Sequence, residues 1–384
     1  MSFKTIRSYR ALDDTANQLA RDGANLTIHT PNAPPVRIGP HPEVASVRFH
    51  TDQALDPLRR RDHLGLAEAY LNGEIDIEGD FVEAMRITEV IAPDPTWFER
   101  VRFAARLLFR NRRALQRESI SFHYDLSADF YLPWLDRWRS YSHGFYESES
   151  DSLDDAQSRK LQFAVDALGL EPGMDVFDMG GGWGSFIEFA GKLGIRVNAI
   201  TISGEQYRFV TELIRSHDLP CSIELVDFLD YQPTCQFDGA VFMGTFEHFA
   251  DYPWAARFLR TNLKPGACVY TDFCAHDEVQ QVGAFLAKYI WPGTATYVDP
   301  HRLTTSLERE GFELRQVVDD TSSYAATVRD WSDLLECARV ELAEKWGEPK
   351  VRTFLLYLRA SQYYFEQKKV KAYHLVAARH ESES

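Results

Sequence analysis

A doubly wound α/β sheet with a helical cover, preceded by a smaller α+β unit, is the fold class this sequence predicts. Three observations carry that expectation. Short apolar runs alternate with helical stretches from about residue 174 to residue 275, the pattern of a mainly parallel sheet with helices on both faces. The first run, MDVFDM, opens directly into GGGWG, a glycine cluster that is unfavourable unless a tight turn or a close approach requires it. The chain has 384 residues, too many for one small core, so a second unit is expected.

Within the first ~95 residues, ANLTIHT and ASVRFHT alternate apolar and polar positions as half-buried strands do. The segment between them, PNAPPVRIGPHP, reads as proline-rich turn material. The stretch from His63 to Ile91 reads as a helix, a glycine turn, a short strand and a second helix. Residues 1–95 therefore form an accessory unit, and residues 96–120 a basic amphipathic linker helix. In that linker Phe98, Val101, Leu108 and Leu115 mix with Arg102, Arg106, Arg110, Arg112 and Arg113, a composition suited to anionic lipid headgroups or to a solvated face. Residues 121–384 form the main domain. Its strand-like runs are MDVFDM, RVNAIT, CSIELVD, FDGAVFMG and ACVYTDF, and the sequence through Tyr363 and Tyr364 reads as a helix-rich, aromatic cover.

The formal charge of −15 excludes the broad basic field of a general nucleic-acid binder. Five cysteines show no C-x-x-C pair and no grouping with histidine, which argues against structural zinc or a disulfide framework and for a reducing, cytoplasmic setting. MSFKTIRSYR lacks a signal-peptide core, and no apolar run approaches the roughly 20 residues of a membrane span.

The glycine loop narrows the ligand. No Gly-Lys-Ser/Thr follows it, which excludes a P-loop. A dinucleotide fold would carry G-x-G-x-x-G and an acidic residue ~20 positions on; here Asp178 precedes Gly180, Gly182 and Gly184 in D-x-G-x-G-x-G. That is the pattern of class I S-adenosylmethionine methyltransferases, whose cofactor has no pyrophosphate and is wrapped by backbone. Asp227, after IELV, stands where an adenine contact is expected, or caps a helix.

Three further stretches, FHYDLSADFYLPWLDRWRSYSHGFY, VNAITISGEQ and GTFEHF, resemble cyclopropane fatty acid synthases and the mycolic acid cyclopropane synthases, in order from about residue 121. GLAEAYLNGEIDIEGDF is similar to the accessory domain of the longer bacterial members. The resemblance implies transfer of a methyl or methylene from S-adenosylmethionine to a cis double bond in a phospholipid acyl chain. It implies Tyr141 and Ser142 at the methionine end of the cofactor, Thr201 and Gln206 on the ribose side, and Glu247 and His248 in the FEH motif. Tyr324 resembles the tyrosine near the family's bicarbonate. A homodimer at the inner membrane surface is a further expectation.

Chemically, an alkene is a weak nucleophile and a sulfonium methyl a strong electrophile, so an apolar slot can align them. The cation that results can be stabilised by aromatic faces. Candidates are Phe145, Tyr146, Phe246, Tyr289 and Trp291, each of which taken alone suits an ordinary core better. A base then removes a proton and decides the product. In the family a bicarbonate held by Cys, Glu, His and Tyr serves. Here YSH puts His143 where the cysteine would be, and VYTDF puts Asp272 in place of the histidine. A carboxylate at Asp272 would repel an anion, while His143 beside Asp272 or Glu247 could itself be the base; the alternative is that the pair only rewires hydrogen bonds and bicarbonate still binds. The catalytic candidates are thus Glu247, His143, Tyr324 and Asp272. The expectation is a lipid C-methyltransferase giving a methyl-branched or methylated unsaturated product. A true cyclopropane synthase, a small-molecule methyltransferase and a catalytically weak lipid-binding protein stay open.

Overall fold

The computed structural model describes residues 3–91, 126–249, 251–276, 283–291 and 297–381, with backbone alone for 3–8. The arginine-rich stretch 97–119 and the start of the FHYDL motif lie outside the described residues. The chain divides into two compact units.

In the first unit a helix, Phe3–Arg21, precedes a four-stranded sheet of β1 (Leu26–Thr30), β2 (Ala33–Ile38), β3 (Ala45–Phe49) and β4 (Ile75–Gly79), in the order β2-β1-β3-β4. The segment expected to be turn material is therefore largely strand. β2 tolerates Pro34 and Pro35 because it is the sheet edge, where a missing N–H leaves no partner unsatisfied. Between β3 and β4 the helix His63–Leu71 starts at Asp62, whose carboxylate accepts the Gly65 amide. The core gathers Leu12, Leu19, Leu26, Val47, Phe49 and Leu58. Gly283–Ile290 and Glu336–Tyr363, which the sequence reading assigned to the main domain, belong to this unit, and Leu356 and Tyr363 lie in its core.

The second unit holds a seven-stranded sheet: β5 (Asp175–Met179), β6 (Arg196–Thr201), β7 (Ser222–Leu225), β8 (Phe237–Met243), β9 (Leu263–Ala275), β10 (Phe312–Asp319) and β11 (Lys371–Arg379). Its order is β10-β11-β9-β8-β5-β6-β7. β5, β6, β7, β8 and β9 run parallel, whereas β11 is antiparallel to both β9 and β10. The doubly wound sheet expected from the alternating runs is present. Its last two strands, β10 and β11, fall where the sequence reading saw only helical cover. Helices Leu153–Ala167, Ser185–Lys192, Gly204–Ser216 and Tyr252–Asn262 pack on it. Phe177, Phe237, Phe242 and Phe258 fill one side, and Leu161, Val176, Phe186, Val197 and Val241 the other. Strand order reverses direction about β5, so ligands of such a sheet are expected beyond its carboxyl end.

Candidate functional site

A cavity opens at that place. Its walls are the segments that follow four parallel strands: 178–186 after β5, 200–206 after β6, 226–229 after β7 and 243–249 after β8. Arg139, Tyr141 and Ser142 complete the lining.

The glycine loop has two separate reasons to be glycine. At Gly184 φ is +82°, and a Cβ would come within 2.7 Å of Leu213 Cδ2 and 3.3 Å of Val210 Cγ2. That glycine is required by packing of the next helix, not by a ligand. Gly182 differs: φ is +53°, and a Cβ would meet nothing nearer than Gly180 O at 3.7 Å. Open space on a cavity wall is what a closely approaching ligand uses.

Asp178 is 4% exposed and lines the cavity. Burial alone raises its carboxyl to about 7, and among the described residues nothing donates a hydrogen bond to it. A buried acid without a protein donor is a site poised for an external one. Thr201 Oγ1 donates to Gln206 Oε1 at 2.8 Å, which leaves the Gln206 amide NH₂ for a ligand. Asp227 Oδ1 accepts the Leu229 amide at 2.9 Å, so it both shapes its turn and faces the cavity. Burial lowers the His248 imidazole to about 4, and its ring lies 4.7 Å from Trp291.

The cofactor candidates Tyr141, Ser142, Asp178, Gly180, Gly182, Thr201, Gln206, Asp227 and His248 thus converge on one cavity. The four catalytic candidates do not line it; they stand behind it. Glu247 is half-buried, with its carboxyl raised to about 7 by desolvation, and its Oε1 accepts the Cys274 amide at 2.7 Å. The Cys274 thiol, pushed well up by burial, hydrogen-bonds with both Tyr324 and Glu247.

Two expectations about the base are corrected. His143 sits beside neither Asp272 nor Glu247 in hydrogen bonding; its Nε2 pairs with Asp320 Oδ2 at 3.0 Å, and its ring lies against Tyr324, tilted by 33° with centroids 5.0 Å apart. Asp272 is not an open anion-repelling carboxylate. Its Oδ1 accepts the Gly244 amide at 2.7 Å, and its Oδ2 accepts from Ser142 Oγ at 3.2 Å and Tyr270 OH at 3.3 Å. The Lys160 ammonium, with no exposed surface, lies 3.9 Å from the same oxygen and donates to Ser142 Oγ at 2.7 Å. Gln157 Nε2 adds a bond to Ser142 O at 2.7 Å. This network fastens the Tyr141–Ser142 wall to the loop after β8.

Lys160, Gln157 and Asp320 were not singled out from the sequence. Lys160 stands in QSRKLQ, which reads as a solvated helix face. The one available signal was its register: Ala156, Lys160, Leu161 and Ala164 share the buried side of helix Leu153–Ala167. Arg139 was missed as well. It holds φ at +66° and donates from Nε to Trp183 O at 3.0 Å while pairing with Glu188. Of the aromatic candidates, Phe246 is core, stacked on Phe242 at 4.9 Å. Tyr146 OH donates to Asp330 at 2.8 Å, and Phe145 lies 5.9 Å from His143. Tyr289 belongs to the first unit, where its hydroxyl donates to Glu68 at 3.0 Å.

The residues fit S-adenosylmethionine: a donor-free buried acid, an open glycine and a free amide line one cavity together with Tyr141 and Ser142. Among the described residues no helix is long and apolar enough to cross a membrane, and no His/Cys/Asp/Glu group could hold a metal ion.

Comparisons with known proteins agree. A family model, mycolic acid cyclopropane synthetase, matches residues 111–375. A probable fatty acid methyltransferase of Pseudomonas putida is 27% identical over 355 residues, 89% of each chain. The cyclopropane-fatty-acyl-phospholipid synthase of Escherichia coli is 28% identical over 344 residues, covering 87% of this chain and 88% of that one. Mycolic acid cyclopropane synthase CmaA1, solved in complex with SAH and CTAB, superposes with a TM-score of 0.63 at 23% identity, over 68% of this chain and 98% of its own. Glycine loop, cavity and family match converge: the chain belongs to the mycolic acid cyclopropane synthetase family and is an S-adenosylmethionine-dependent methyltransferase.

Proposed function

We propose that the protein methylates a carbon of a cis double bond in an unsaturated acyl chain of a membrane phospholipid, leaving a methyl-branched or methylated unsaturated product. The observation that carries this reading is the buried His143–Asp320 pair beside Tyr324. It offers a protein base where the resemblance would have a bicarbonate ligand. Asp272, held by Lys160, Ser142, Tyr270 and the Gly244 amide, is built into the wall and not into an anion site. The Pseudomonas relative's name, a probable fatty acid methyltransferase, supports the same class of product and substrate. The arginine-rich composition of residues 97–119 supports action at an anionic membrane surface on the cytoplasmic side.

When bound, the cofactor supplies an electrophilic sulfonium methyl. Tyr141 and Ser142 hold its amino-acid end, Asp178, Thr201 and Gln206 its ribose side, and Asp227 its base. Glycines 180, 182 and 184 shape the turn that carries these contacts. Trp291 against His248 offers an aromatic face to the cationic centre. Glu247 and Tyr324, joined through Cys274, flank the reacting region and orient it.

A second reading, cyclopropane synthesis, is favoured by the Glu247–Cys274–Tyr324 cluster and by the Escherichia coli relative's name. One experiment separates the two. The protein is incubated with liposomes of unsaturated phospholipid and S-adenosylmethionine carrying a trideuterated methyl, and the lipids are analysed by mass spectrometry. C-methylation gives product with three deuteriums; two deuteriums would mean ring closure and overturn the proposed product.

A further inference from the structure

The hydrogen bonding of His143 continues beyond Asp320. Asp320 Oδ2 receives a second imidazole, His374 Nδ1, at 2.5 Å from β11. One carboxylate oxygen therefore joins two buried histidines, His143 at 1% and His374 at 4% exposure. Burial would raise the Asp320 carboxyl, but the hydrogen bonds from His143 and His374 outweigh it and hold it at about 2. An ionised carboxylate only accepts, so both contacting ring nitrogens carry hydrogen.

The two imidazoles are then inequivalent. His374 Nε2 is buried with no hydrogen-bond partner among the described residues, and its ring is boxed by Phe145 at 4.9 Å and Phe163 at 5.0 Å. A second proton there would be a buried, unpaired donor. His143 Nδ1 makes no hydrogen bond among the described residues and belongs to the residue directly after cavity-lining Ser142. Its ring lies against Tyr324, which bonds the Cys274 thiol next to Glu247.

We infer that Asp320 is a positioning residue that locks His143 in the Nε2–H form, leaving Nδ1 as the acceptor of the proton the substrate releases, with His374 holding Asp320 in place. This rests on the proposed reading of the site as one that deprotonates an alkylated double bond. In the step assigned to His143, a C–H bond next to the cationic carbon breaks and its electron pair closes a new C=C bond. The proton passes to Nδ1, the imidazolium is balanced by Asp320, and the proton then leaves to water. A general base of this kind contributes about 10²–10⁴-fold in rate.

The test uses the full chain with isotopically labelled histidine. Nitrogen and carbon NMR of the cofactor-free protein reports the His143 tautomer, kinetics on liposomes the KM–kcat split, and calorimetry the affinity for S-adenosylhomocysteine. The expected wild-type signature is Nε2–H with unprotonated Nδ1. Asp320→Asn is expected to lose that signature and to lower kcat about 100-fold, with KM and affinity for S-adenosylhomocysteine within threefold of wild type. His374→Phe, which keeps the aromatic box, is expected to lower kcat about tenfold. An Nδ1–H tautomer in the wild type, or Asp320→Asn with kcat within threefold of wild type, would overturn the inference. If the deuterium experiment instead gave ring closure while Asp320→Asn behaved as expected, the product reading would fall and the assignment of the base would stand.

Discussion

Asp178→Asn separates what the cavity costs the fold from what it gains for binding. The Asp178 carboxyl is raised from its ordinary 3.8 to about 7 by burial alone. A raised acid contributes stability below its unfolded value, and that contribution is lost as pH climbs to the folded one. Below pH ~4 the group is protonated in both states and costs nothing; above pH ~7 the folded protein holds a buried, unpartnered charge. At about 1.4 kcal/mol per pH unit the full penalty is roughly 4 kcal/mol. Solvent entering the cavity screens part of it, so about 2 kcal/mol is expected, or about 4–8 °C in the melting of the catalytic unit. Asparagine has nearly the same shape and no charge. The cofactor-free variant should therefore melt above wild type at pH 8, with the gain shrinking towards pH 4. At the same time its affinity for S-adenosylhomocysteine should fall about 100-fold, because the charged acceptor is gone. Differential scanning calorimetry at both pH values, with and without that ligand, reads both effects. A variant that melts below wild type at pH 8, or a difference independent of pH, would refute the reasoning.

Other expectations follow from the walls of the cavity. Lys160→Met leaves Asp272 buried beside a lost cation, and breaking such a pair costs about 3–5 kcal/mol. Adding Asp272→Asn should recover at least about 1 kcal/mol of that loss in a double-mutant cycle followed by urea unfolding, and strict additivity would sink the idea of a coupled clamp. Gly184→Val should lower stability by more than about 3 kcal/mol, since it combines positive φ with a clash against Leu213. Gly182→Ala, by contrast, should cost about 1 kcal/mol of stability and weaken S-adenosylhomocysteine about tenfold by calorimetry. Equal effects at the two glycines would contradict their different roles.

What the sequence revealed of this site is the part fixed by neighbours along the chain. Asp178 and the glycines belong to one strand-to-helix turn, marked by their own spacing, and Thr201 and Gln206 to another, marked by the family resemblance of VNAITISGEQ. The Thr201–Gln206 bond spans five positions, and Ser203 caps the helix that carries Gln206. The proposed base could be guessed at His143 but its partner could not. Asp320 is 177 positions away and His374 another 54 beyond Asp320, and only the pairing of β9, β10 and β11 brings them together. β11 was unreadable as a strand because KAYHLVAAR, buried on both faces, lacks the alternation that marks a half-exposed strand. β2 failed for the opposite reason: its prolines signal a turn locally, and only an edge position makes them acceptable.

The place of β11 between β9 and β10 also bears on how the molecule is made. Cys268 on β9 pairs with Ala378 on β11, 110 positions later, and between β10 and β11 the chain departs into the other unit over Glu336–Tyr363. Pairing of such long span meets the full entropy of loop closure before any contact rewards it, so it comes late in folding. Until then the β9 edge that carries Asp272 is bare, a template for wrong partners. The step that seals the sheet is the same one that brings His374 to Asp320, so a half-folded chain has the glycine loop but not the pair that positions the proposed base. Cofactor affinity and turnover should therefore appear in that order during refolding.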